Sequence, residues 1–230
     1  MISDNIYYLK SKIAEIARSS GRNEQSVRLV AVSKRFQADA ILDAQKAGQH
    51  LFGENYIQEM QEKFDVLSGK VQFHFIGHLQ SNKAATAARI CSMIETVDRL
   101  KLARILNKQL RGLNKKLDIL IQVNIANDKN KAGIPPQQAE ELLRKVKEFE
   151  MLCPLGLMTM PPYCEDPEGS RIHFKGLREL ADYLGAKQLF YNNSNIELSM
   201  GMTNDYAVAI EEGATLVRIG TAIFGHSPPI

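Results

Sequence analysis

Residues 28–54 read RLVAVSKRFQADAILDAQKAGQHLFGE, and two kinds of pattern follow one another inside them. Residues 28–34 hold the short apolar, β-branched run Leu29-Val30-Ala31-Val32, which predicts a strand. Residues 38–48, ADAILDAQKAG, mix polar and apolar side chains with helical period and stop at a glycine, which predicts a helix. Residues 50–54, HLFGE, begin a strand again.

Working outward, the same unit recurs along the chain. Further strands are predicted at VQFHFIG (71–77), SMIETVD (92–98), LDILIQVNI (117–125), PLGLMTM (154–160), ELSMG (197–201) and TLVRIG (215–220). Between them NYIQEMQEKFDVL, NKAATAARI, RLKLARILNKQL, PQQAEELLRKVKEF, IHFKGLRELADYL and NDYAVAIEEG read as helices. Ahead of the first strand, Ile6, Leu9, Ile13 and Ile16 recur three or four residues apart and predict an extra amphipathic helix. Eight strand–helix units without a composition break predict an α/β fold: one (β/α)8 TIM barrel spanning residues 1–230. A doubly wound open sheet is the competing architecture, but no G-x-G-x-x-G opens any helix.

Composition narrows the function. Of 230 residues, 44% are hydrophobic and 24% charged, an ordinary globular balance that disfavours disorder. The net charge of +3 is spread along the helices, so no nucleic-acid surface is expected. Cys91, Cys153 and Cys164 are odd in number and lack C-x-x-C spacing, and so read as free thiols of a reducing compartment, with no zinc site. No basic segment leads into an apolar stretch at the N-terminus and no apolar run nears the ~18 residues of a membrane helix. The expectation is a cytoplasmic protein without membrane or nucleic-acid partners.

In a TIM barrel the chemistry belongs at the C-terminal ends of the strands. The first strand runs into Lys34, which shares the parity of Val30 and Val32. It is either a lysine marking the strand's end or a partly desolvated amine able to form a Schiff base with a carbonyl. On the eighth strand Arg218 shares the parity of Leu216 and Gly220 and faces inward, where a guanidinium needs an acceptor, such as a barrel carboxylate like Glu54. Ser199 to Thr203 and Gly220-Thr221 form two small-residue turns at the strands where barrels often hold a phosphate. His74, between Phe73 and Phe75, reads as a hydrogen-bonded core residue or as a catalyst. Asn55 could cap the next helix or donate to a ligand. There is no H-E-x-x-H, no carboxylate cluster with metal spacing, no G-x-S-x-G and no phosphate loop of the NTPase type. An amine, an arginine and phosphate turns together suggest a phosphorylated aldehyde: pyridoxal 5′-phosphate (PLP), or a sugar phosphate.

The stretches AVSK ending at Lys34, FGENYIQE (52–59), HFIGHLQSNK (74–83), ETVDRL (95–100), QVNIANDKNKAG (122–133), GLMTM (156–160), LSMGMTNDYAVAI (198–210) and VRIGTAIFG (217–225) closely resemble the pyridoxal phosphate homeostasis proteins. Together they span nearly the whole chain. The resemblance implies a barrel similar to the N-terminal barrel of alanine racemase, the type III PLP fold, holding PLP. It implies that Lys34 is the Schiff-base lysine and that Arg218 faces the pyridine nitrogen. It implies that Ser199, Gly220, Thr221 and the Met200 backbone bind phosphate, with Asn55, His74 and Met158 near the cofactor. Thr203 stands where the family usually has serine, Asn127-Asp128-Lys129 where glycine and glutamate are common, and Phe73 where tryptophan is common. The first two touch loops, where threonine preserves a hydroxyl, and the third a packing position, so none undermines the cofactor assignment.

The resemblance implies a monomeric, non-catalytic PLP carrier serving vitamin B6 homeostasis, with PLP-dependent apoenzymes as recipients. The alternatives are a PLP-dependent amino-acid racemase and a lysine Schiff-base aldolase. Alanine racemases set a tyrosine from a second domain of the partner subunit opposite the lysine. A chain ending at Ile230, just after the last strand, is expected to lack that domain.

Overall fold

A computed structural model describes residues 1–67 and 69–226. The last four positions of the expected 1–230 domain, and Ser68, lie outside the described residues. Eight strands form a closed parallel barrel in chain order: β1 (Arg28–Val32), β2 (Leu51–Glu54), β3 (Gln72–Phe75), β4 (Met93–Val97), β5 (Leu117–Gln122), β6 (Leu152–Met158), β7 (Glu197–Ser199) and β8 (Leu216–Ile219). Each lies within two residues of its predicted segment at either end, except β5, which stops at Gln122. The helices are α1 (Ile2–Ser19), α2 (Ala38–Lys46), α3 (Ile57–Leu67), α4 (Ala84–Ile90), α5 (Leu100–Leu113), α6 (Ala139–Val146), α7 (Arg171–Ala186), α8 (Tyr206–Glu211) and α9 (Thr221–Phe224). The four-residue α9 is too short to leave a periodic trace and is not anticipated by the sequence.

Strand alternation sorts the apolar residues into two separate cores. Leu29, Ala31, Phe52, Phe73, Phe75, Val217 and Ile219 pack outward in the layer shared with the helices. Val30, Met93, Leu120, Met158 and Leu216 form a small plug inside the barrel. A side chain one residue along a strand therefore changes core, because successive side chains point to opposite faces. The plug is apolar, and other inward positions carry His74, Glu95 and Arg218, with His74 in register with Met93 and Arg218 with Val30.

Closure joins β1 to β8 in register, with Val30 beside Arg218 and Ala31 beside Ile219. The weaker seam is between β7 and β8, which meet at the single pair Ser199 and Leu216. The chain there turns away from the ladder early. α1 lays Ile6, Leu9, Ile13 and Ala17 against the outer layer, packing on α2, α8 and α9. Asn5 Nδ2 donates to the Ile223 carbonyl at 2.9 Å and Arg22 Nη1 to the Ile210 carbonyl at 2.8 Å. The extra helix thus seals the ring of helices where the first unit meets the last.

Candidate functional site

The mouth of the barrel assembles its polar groups from strand ends. β1 stops at Val32, and Ser33 and Lys34 continue past it to the rim. Lys34 is half-buried. Lys34 continues the parity of Val30 and Val32, opposite to that of Ser33, whose Oγ meets Glu54 on the helix side. Beside it, Gly220 packs so closely that a Cβ there would lie 3.2 Å from the Val32 carbonyl oxygen. Phe36 and Phe224 join the same two loops, with ring centroids 5.1 Å apart. The Lys34 segment and the turn after β8 are therefore immediate neighbours.

Below the mouth runs a chain of buried hydrogen bonds. His74 Nδ1 lies 2.6 Å from Glu95 Oε1, and Ser199 Oγ donates to Glu95 Oε2 at 2.5 Å. Arg218 Nη1 donates to Ser199 Oγ at 2.5 Å and its Nη2 to the Thr159 carbonyl at 2.8 Å. His74, Glu95, Ser199 and Arg218 are all buried. Burial by itself raises the Glu95 carboxyl, but the His74 hydrogen bond and charge, the Arg218 charge and the Ser199 hydroxyl outweigh it. The carboxyl ends below its ordinary range. Burial pulls the Arg218 guanidinium down, opposed by the charges of Glu95 and Asp205; arginine nevertheless stays charged at any ordinary pH.

This arrangement corrects one expectation. Glu54 is not the carboxylate that compensates Arg218. Its parity is that of Phe52, so it faces the helix layer, where its Oε1 accepts from Lys63 at 2.6 Å and from Ser33 Oγ at 2.7 Å. The compensating carboxylate is Glu95 of β4, reached across the barrel.

Two of the expected phosphate ligands are otherwise engaged. The Met200 N–H donates to the Leu216 carbonyl at 3.1 Å, extending the barrel ladder, and its side chain is buried. The Ser199 hydroxyl gives its proton to Glu95 and accepts from Arg218. What the turns do present at the surface is a hydroxyl pair: Thr203 Oγ1 and Thr221 Oγ1, both exposed, lie 3.2 Å apart. Gly201, between them and β7, has φ +89, and a Cβ there would sit 2.5 Å from the Ala209 Cβ. The turn needs glycine to pass so close to α8.

Met158 closes the floor as part of the inner plug. Asn55 stands on the loop after β2, where a Cβ on Gly77 would collide with the Asn55 carbonyl oxygen at 2.2 Å. With Tyr56, His78, Gln80 and Lys83 it lines a cleft of about 410 Å³ along the same rim. His74, Ser199 and Arg218 are thus joined in one buried chain, the Lys34 segment neighbours the Gly220–Thr221 turn, Met158 lies in the plug and Asn55 lines the rim. Glu95 is not among the site residues expected from the sequence, although inward parity on SMIETVD points to it, and Thr203 is expected only as part of the 199–203 turn.

Comparison with known proteins agrees with this fold. The family model described as alanine racemase, N-terminal domain, matches residues 7–228. A pyridoxal phosphate homeostasis protein of Haemophilus influenzae is 40% identical over 227 residues, covering 97% of this chain and 95% of that one. The chain belongs to the pyridoxal phosphate homeostasis protein family. Within that family fold, PipY of Synechococcus elongatus has been solved both without PLP (TM-score 0.87, 33% identity, 98% of this chain and all of that one) and with PLP bound (TM-score 0.85, 31% identity, the same coverage). Alanine racemase of Clostridium difficile shares the barrel at TM-score 0.72 and 14% identity, over 98% of this chain and 57% of that one. That likeness is one of fold alone. For this member of the homeostasis family it bears on the architecture alone.

Proposed function

We propose that the protein binds pyridoxal 5′-phosphate at the barrel mouth and serves PLP homeostasis as a cytoplasmic, monomeric, single-domain carrier rather than as a catalyst. The observation that carries this reading is the convergence of Lys34 with the Arg218–Ser199–Glu95 chain and the Thr203–Thr221 hydroxyl pair. The fit is supported by the chain's own packing. Gly201 and Gly220 leave room that a Cβ would fill, and the N–H groups of Thr203 and Thr221 have no partner among the described residues. The turns 199–203 and 220–221 would hold the phosphate, since backbone N–H groups and hydroxyls are the donors that phosphate oxygens seek. Lys34 would supply the amine, and Arg218 would lie against the pyridine ring.

When bound, the cofactor supplies an aldehyde that exchanges between amines and a ring that can draw electrons from a substrate carbon. The chain's own residues favour the first of these over the second. A carbanion-stabilising ring usually keeps its nitrogen protonated beside a carboxylate. Arg218 stays cationic and disfavours a proton placed near it. Glu95, the carboxylate next to it, has both oxygens occupied by His74 and Ser199. The site is thus built to hold a cofactor and release it to apoenzymes, with little drive toward Cα proton transfer.

The test is a visible spectrum and intact mass of the purified protein before and after borohydride. A yellow protein whose colour is lost on reduction, with the added mass mapped to Lys34, is the expected result. Lys34→Ala should lose the reducible adduct yet retain weakened PLP binding. A Lys34→Ala protein reduced as fully as the wild type would overturn the assignment.

A further inference from the structure

Behind Lys34, on the helix side of the barrel wall, lies a charged cluster that the site described above does not use. Lys63 of α3 is 5% exposed. Its ammonium donates to the Ser33 carbonyl at 2.8 Å, to Glu54 Oε1 at 2.6 Å and to Glu59 Oε1 at 2.6 Å. An ammonium has three protons, so Lys63 is fully committed. Ser33 Oγ donates to the same Glu54 oxygen at 2.7 Å, and the Arg35 backbone N–H donates to the same Glu59 oxygen. Both neighbours of Lys34 are therefore tied, one on each side, to carboxylates that meet at Lys63.

Two further observations show what the cluster does. Arg35 has φ +67, a left-handed conformation that a bulky residue keeps only where its surroundings enforce it. Glu59 supplies that enforcement by accepting the Arg35 N–H. The second observation is that Glu54 Oε2 is buried without a partner among the described residues. Burial pushes the Glu54 carboxyl above its ordinary range in spite of the Lys63 charge and hydrogen bond and the Ser33 hydroxyl. Buried ion pairs with unsatisfied oxygens are weak stabilisers.

We infer that Lys63, with Glu54 and Glu59, is a positioning residue for Lys34: it clamps Ser33 and Arg35 and so sets the line along which the reactive amine leaves β1. The inference rests on the PLP-binding reading of the mouth. In the step it serves, Lys34 Nζ, as a neutral amine, forms a bond to the aldehyde carbon. The aldehyde oxygen departs as water with the two protons the amine carried. The geometry of approach governs the rate of that condensation, whereas affinity for the phosphate and ring does not depend on it.

The experiment separates these two quantities in the full-length protein. Adduct formation with pyridoxal 5′-phosphate is followed by stopped-flow absorbance and located by borohydride reduction and peptide mass spectrometry. Non-covalent affinity is measured by calorimetry with pyridoxine 5′-phosphate, which carries an alcohol in place of the aldehyde. Lys63→Met paired with Glu54→Gln, which leaves no unpaired buried charge, should slow the adduct at Lys34 about ten- to a hundredfold, as small misplacements of a reacting group do. Its affinity for pyridoxine 5′-phosphate should stay within about twofold, since the groups that hold the phosphate and ring are untouched. An unchanged rate, or a rate and an affinity that fall together, would overturn the inference. Should the buried double variant fail to fold, Glu59→Ala removes the Arg35 anchor from a side chain that is 23% exposed. It should slow the adduct several-fold with the same unchanged affinity, and a wild-type rate there also overturns the inference. A wild-type protein that forms no adduct at Lys34 would instead defeat the PLP reading itself, so the two failures are distinguishable.

Discussion

Glu95 and Arg218 stand on β4 and β8, strands directly opposite each other in the barrel, and are joined through one hydroxyl, that of Ser199. A carboxylate and a guanidinium this deeply buried would each be costly alone. Bridged by Ser199 and completed by His74 and the Thr159 carbonyl, they form a chain whose donors and acceptors are matched.

Glu95→Gln should therefore cost about 3–5 kcal/mol of unfolding free energy, the range for removing one partner of a buried pair, read from urea denaturation at neutral pH. The pH dependence has a fixed sign. Because the folded Glu95 carboxyl lies below its ordinary range, the unfolded chain binds its proton more readily. Glu95 thus contributes stability that is complete above the usual carboxylate range and is lost as pH falls through the lower folded value. The Gln variant should show a shallower acid decline than wild type. Parallel curves would contradict the shift.

If the turns 199–203 and 220–221 hold the phosphate as proposed, pyridoxal without its phosphate should bind far more weakly than PLP, because each charge-assisted hydrogen bond contributes about 1.5–3 kcal/mol. Gly201→Ala forces a Cβ to within 2.5 Å of Ala209 at φ +89 and should destabilise the fold by about 1–3 kcal/mol while weakening PLP binding. Equal affinities for pyridoxal and PLP in a direct titration would remove the phosphate reading of both turns.

Catalysis is tested with L-alanine and L-serine in deuterated water, following Cα exchange and D-enantiomer formation. The expected outcome is amine exchange with negligible Cα exchange. Turnover at an enzymatic rate, roughly 1–10³ s⁻¹, that disappears in Lys34→Ala would promote the racemase reading.

The thiols offer a check on the fold that is independent of any ligand. Burial pushes Cys91 up to about 12 and raises Cys153 as well, whereas Cys164 is only partly buried. A thiolate is the reactive form, so iodoacetamide at mildly alkaline pH should label Cys164 first and leave Cys91 untouched until the protein unfolds. Early labelling of Cys91 would mean that the α4–β4 junction is open.

The alternation of the chain was enough to place all eight strands, because each apolar run is short, branched and followed by a helical stretch. Parity was equally informative: it put Val217 and Ile219 outward and Arg218 inward. Partners across the barrel were not legible in the same way. Whether Glu54 or Glu95 meets Arg218 depends on which wall each strand's inward face opposes, a property of closure that no local window contains. Glu54 lies on the outward parity, and Lys63, nine residues on, claims it. The commitments of Met200 and Ser199 were hidden for a related reason. Their roles follow from where the β7 ladder ends, and that end is set by the single register pair with Leu216.

The hydrogen bond from Asn5 to Ile223 spans 218 positions, and the pairing of Arg28 with Leu216 spans nearly as many. Contacts of such long sequence separation form late in folding, since the whole intervening loop must close first. During synthesis, the strand carrying Lys34 emerges early and waits for the turn at Gly220 and Thr221 to be made before the two can meet. On the function proposed above, a nascent chain would then have the amine without the turns that hold the phosphate. Cofactor loading would follow synthesis and mark a finished barrel.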